Sequence, residues 1–89
     1  MLENVRILLT PKAKAYVEGN FISSKPVLTE QKDGRFMLLL SHVPIEAVVP
    51  WVLAQGGEAV VLEPLSAVEA VKKAAKAVLQ AAENQMVNL

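Results

Sequence analysis

Eighty-nine residues without a single cysteine make one small domain that must be held by packing alone, because disulfides, thiolate metal sites and cysteine nucleophiles are all excluded. Nine Lys plus Arg balance nine Asp plus Glu, so the basic excess that marks a nucleic-acid-binding domain is missing and direct duplex DNA binding is not expected. Apolar residues reach 53%, high for a chain this short, and some of that surface is expected to await a partner.

Met1-Leu2-Glu3-Asn4 carries an acid and no basic segment ahead of an apolar run, so residues 1–4 read as a leader or linker and not as a secretory signal. Arg6, Lys12, Arg35, His42, Glu46 and Glu58 interrupt every apolar stretch before the ~20 residues that a membrane-spanning helix needs. A soluble, cytoplasmic chain is the expectation.

Val5 to Leu9 reads as a strand, and Thr10-Pro11 then offers an N-cap followed by Pro at the first helical position. Ala13, Tyr16 and Val17 recur at helical spacing opposite Lys12, Lys14 and Glu18, and Gly19 is placed to stop that short helix. Phe21 to Lys25 is a loop. Pro26 to Gln31 is a strand, Lys32-Asp33-Gly34 a hairpin turn, and Arg35 to Ser41 the returning strand.

Pro44 to Gln55 predicts a second helix with Ile45, Val48, Val49, Val52 and Leu53 on one face, kinked or delayed by Pro50. Gly56-Gly57 ends it, and Glu58 to Glu63 is a strand. Ser66-Ala67-Val68-Glu69 has the spacing of a capping box opening a last helix to about Glu83. Its stripe of Val68, Val71, Ala75, Val78, Leu79 and Ala82 opposes Glu69, Lys72, Lys73, Lys76, Gln80 and Glu83, and residues 84–89 read as a frayed tail.

The order strand, helix, strand, strand, helix, strand, with one more helix, predicts an α+β fold of the ferredoxin-like βαββαβ kind with an additional C-terminal helix. Right-handed crossovers put the first and third strands at the sheet centre. Both are nearly continuous apolar runs, which need both faces covered, whereas two crossover helices cover only one. The other face is left for the last helix, a second subunit or a neighbouring domain.

No constellation for chemistry emerges, and the chain is not expected to be an enzyme. His42 is the only histidine, just past a strand, so no triad or two-histidine metal site can form around it within one chain, and no metal or cofactor is expected. Ser23, Ser24, Ser41 and Ser66 lack a nucleophile elbow, and Gly56-Gly57 runs helix to strand, the reverse of a phosphate loop. Glu63 reads as a strand end. An acylphosphatase-like site would place arginine and glycine in the first loop, where Thr10-Pro11-Lys12 stands instead.

Arg6 alternates with Val5 and Ile7, so it shares with Leu8 the face away from the helices, where a guanidinium amid apolar neighbours suits a carboxylate or phosphate. An intradomain salt bridge is the plainer role for it. Arg35, beside the hairpin, is a weaker contact candidate. Lys72, Lys73 and Lys76 make a basic run whose default is a solvated face.

A tryptophan one turn before a helix-stopping glycine, then an apolar strand ending Glu-Pro, runs from Pro50-Trp51-Val52-Leu53 through Gly56-Gly57 to Glu63-Pro64. With the opening strand, Ala15-Tyr16-Val17-Glu18, the Asp33-Gly34 hairpin and the long last helix, this resembles the C-terminal extension (WCX) domain of bacterial WYL-domain transcriptional regulators over residues 5–83. Trp51, Gly56 and Pro64 are then structural anchors. Family members often carry Leu-Arg early in the last helix and an aromatic at its end, where this chain has Ser66-Ala67-Val68 and Gln85-Met86.

In that family the domain follows a helix-turn-helix and a WYL sensor domain. The resemblance therefore implies a dimerisation and effector-response module, partnered by a second copy or the sensor domain and answering to a small-molecule or nucleotide effector. Arg6, Leu8 and Arg35 are the expected contact residues. A stand-alone ferredoxin-like small-molecule-binding protein is the alternative, and a small hydrolase a distant third.

Overall fold

Val5, Ile7, Leu9, Leu38 and Leu40 are each fully buried and stand at every second position of two paired strands, so one face of a sheet is the floor of the core. The computed structural model describes residues 1–17, 20, 21 and 24–87, the last two without their side chains. It contains β1 (Leu2–Leu9), α1 (Pro11–Lys14), β2 (Val27–Glu30), β3 (Phe36–Val43), α2 (Ile45–Ala54), β4 (Ala59–Glu63) and α3 (Leu65–Val87). The fold is α+β: a four-stranded antiparallel sheet in the order β2-β3-β1-β4, with a C-terminal helix. The first and third strands are central, as the apolar runs require.

Several boundaries differ from the sequence reading, each for a local reason. β1 begins at Leu2, because Leu2 and Glu3 pair with Val43 and His42 across the strand, so residues 2–4 are sheet and not leader. Asn4 has φ 51°, a left-handed value that asparagine tolerates better than most residues, and the strand runs on through it. β3 correspondingly extends through His42, which lies within a strand and not after one.

α1 is a single turn of four residues. Its start is as the sequence indicates: Pro11 opens it, and the Ala13 amide donates to Thr10 Oγ1 at 3.3 Å. Its expected continuation to Val17 is not helical, and Glu18 and the proposed stop at Gly19 lie outside the described residues. Phe21, assigned to a loop, is a core residue, only 2% exposed.

α2 starts at Ile45 and carries Pro50 in its interior, so proline neither delays nor ends it. The cost is that the Glu46 carbonyl receives no N–H from position 50. Val48 and Val52 are buried, a stripe that packing rewards enough to keep the helix whole. Gly56 and Gly57, at φ 60° and 94°, then turn the chain through conformations that side chains disfavour.

The capping box expected at Ser66 does not form, because α3 has already begun at Leu65. The Pro64 carbonyl accepts from the Ala67 and Val68 amides at 3.0 and 3.1 Å and so opens the helix, following a cis Glu63–Pro64 bond. The helix then passes the expected end at Glu83 and includes residues 84–87, while Asn88 and Leu89 lie outside the described residues.

α3 packs on α2 and on β4, with Ala67 buried and Val68 and Val71 against the core. It therefore sits with the helical layer and does not cross the opposite face of the sheet.

Candidate functional site

The register decides what the uncovered face carries. Leu8 pairs with Met37 on one side and Val60 on the other, Arg6 with Leu39, and Val27 and Thr29 with Leu39 and Met37. Cross-strand partners share a face, so Arg6, Leu8, Met37, Leu39, Val27 and Val60 form one surface, back to back with the buried set. Leu8, Met37 and Leu39 are half-buried, whereas Val27 is 54% and Val60 49% exposed. This is a contiguous apolar strip across all four strands, with no described segment over it.

A bulge sets the charge at one end. One step on β1, from Ile7 to Arg6, matches two on β4, from Val61 to Glu63, so Leu62 is the extra residue. Regular pairing would have put Leu62 opposite Arg6. The slip presents Glu63 instead, and Arg6 Nε lies 3.4 Å from Glu63 Oε2 with both side chains more than half exposed. Arg6 is thus a salt-bridged arginine, the plainer of the two sequence readings.

The other end is the β2–β3 hairpin, closed by the Gln31 amide donating to the Arg35 carbonyl at 2.7 Å, with Gly34 at φ 86°. Arg35 Nε and Nη2 reach Asp33 Oδ2 at 2.8 and 2.7 Å, and its amide donates to Oδ1 at 3.0 Å. The Arg35 hydrogen bonds hold the Asp33 carboxyl below the usual aspartate range. An open cavity of about 490 Å³ lies here, lined by Leu8, Gln31, Lys32, Asp33, Arg35 and Met37. Two of the three expected contact residues, Leu8 and Arg35, therefore meet in one cavity, and Arg6 stands two residues from Leu8 on the same face.

The anchors lie elsewhere. Trp51 is half-buried, its ring edge-on to Phe21 at a centroid distance of 5.1 Å, and its indole N–H donates to the Tyr16 carbonyl at 3.3 Å. It clasps α2 to the segment after α1 from the rim of the core. Met37, Leu39, Val27 and Val60 complete the strip; period-two alternation identifies such positions once the pairing is known, but pairing is not written in any one strand.

A mainly apolar groove of about 560 Å³ runs between α2 and α3, lined by Ile45, Glu46, Val49, Pro50, Ala70, Lys73, Ala74 and Ala77. No helix among the described residues is long and apolar enough to cross a membrane.

Among the described residues, helices clad one side of the sheet and leave the other side apolar. The chain belongs to the WCX domain family, whose model matches residues 2–79. No curated protein and no solved structure matches it.

Proposed function

We propose that this chain is the regulatory C-terminal module of a bacterial helix-turn-helix, WYL-type transcriptional regulator, and that its bare sheet face docks on the regulator's sensor domain. Membership of the WCX family supports the class. The apolar strip from Val60 through Leu8 and Met37 to Val27 supports the docking face, because central strands apolar on both sides are stable in water only when both sides are covered. The strand order supports reading the architecture as ferredoxin-like.

The module reads effector occupancy through that contact and catalyses nothing itself. It is not the DNA-reading part of the regulator, since its charges balance. Arg35 and Arg6 are both committed to carboxylates, so an anionic effector on this face has to displace Asp33 or Glu63. They serve better as rim charges that fix the register of a protein contact.

Titrating the isolated chain with the sensor segment of its own regulator tests this. Binding is expected for the wild type and lost in Leu8→Glu, with the variant's circular dichroism and melting unchanged. An affinity that Leu8→Glu leaves intact would refute the docking face, and self-association abolished by Leu8→Glu would replace the sensor domain with a second copy.

A further inference from the structure

α3 runs on past the residues that pack it. Its 23 residues span about 34 Å at 1.5 Å per residue, and the molecule measures 45 × 29 × 23 Å. Among the described residues its first half is the engaged part: Ala67, Val68 and Val71 meet the core, and Ala70, Ala74 and Ala77 wall the groove against α2. Every residue from Ala75 to Gln85 is exposed, and the family match stops at Leu79.

The stripe that faces the core does not stop where the core does. Val68, Ala75, Leu79 and Ala82 follow at intervals of seven, four and three, the spacing of a helix–helix seam, with Val78 beside them. Val78 is 64% and Leu79 58% exposed, so the arm presents its apolar side to water. Lys76 and Glu83 each stand one residue past the small seam residues Ala75 and Ala82, on the same flank seven residues apart.

We infer that the arm of α3 from Ala75 onward pairs with the same arm of a second copy, antiparallel. Setting Leu79 against the second copy's Ala82 lets the large side chain fill the space above the small one, and two-fold symmetry makes that contact twice. In this register Lys76 comes alongside the second copy's Glu83, again twice, so two pairs of opposite charges line one side of the seam. A parallel pair instead sets Val71 and Val78 against those charges. The identity of the partner rests on this charge match and on the continuity of the seam with the stripe that already packs within the molecule.

A seam this short falls well below the roughly 800 Å² per partner of a standard interface. The isolated chain therefore dimerises weakly, in the high micromolar range or above, and the contact gains weight where two copies are already held close. It shares no residue with the sheet face, so the two surfaces stand or fall separately.

Sedimentation equilibrium on the isolated chain, over a concentration series reaching the millimolar range, tests the pairing. Wild type is expected to show a reversible monomer–dimer equilibrium. Lys76→Glu and Glu83→Lys should each weaken it roughly fivefold or more, and the double reversal should restore it, as expected for exposed ion pairs made and unmade twice. Leu79→Glu should leave a monomer with the wild-type melting curve, since the Leu79 side chain is exposed. A wild type that stays monomeric throughout, or a dimer indifferent to the single reversals, overturns the inference.

Discussion

Asp33 is held by a single residue, through hydrogen bonds from the Arg35 amide and Nε and an ion-pair contact to Nη2, and its carboxyl is held below the usual aspartate range as a result. A depressed folded-state pKa stabilises the fold above the unfolded value, and that contribution is lost as pH falls through the folded one. The hairpin should thus loosen only below the ordinary aspartate range. Arg35→Gln is expected to raise the Asp33 titration midpoint, followed through its carboxyl carbon by NMR, and an unchanged midpoint would show that the pair does not persist in solution. The turn itself was legible, because Asp-Gly admits few backbone courses. The pairing of Arg6 was not, because the bulge at Leu62 that brings Glu63 opposite it has no mark in the sequence.

Between elements, Trp51 does the joining. Its ring meets Phe21 and its N–H meets the Tyr16 carbonyl, so one side chain of α2 fixes the segment that follows α1. Full burial would make Trp51→Ala cost roughly 3–5 kcal/mol; a half-buried ring is expected to cost about 2–3 kcal/mol, read from the urea midpoint at constant slope. A variant as stable as wild type would show the clasp to be ornamental. Strand identity in β1 and β3 could be read because apolar runs bounded by Pro and Gly allow little else. Helix ends were harder: α1 stops early, α2 ignores Pro50, and α3 opens on the Pro64 carbonyl before its apparent cap. For α2, burial of Val48 and Val52 outweighed the local signal of Pro50. Phe21 escaped notice because it lies in a stretch with no period to read.

At the scale of the whole molecule, the account turns on coverage. The sequence showed that two crossover helices could not cover both faces of so apolar a sheet, but not where the third helix would go, since an amphipathic stripe fits either face. α3 sits on α2 and β4, and no described segment covers the strip bearing Leu8, Met37, Leu39 and Val60. The chain has no cysteine, so a single Val60→Cys substitution gives one thiol on that face, at a side chain already 49% exposed and needing no room made for it. Its alkylation rate, followed by mass spectrometry, should approach that of a free thiol in the isolated domain and fall at least about tenfold in the intact regulator, as burial under the sensor domain requires. Equal rates in the two would contradict the proposal that this face is the docking surface.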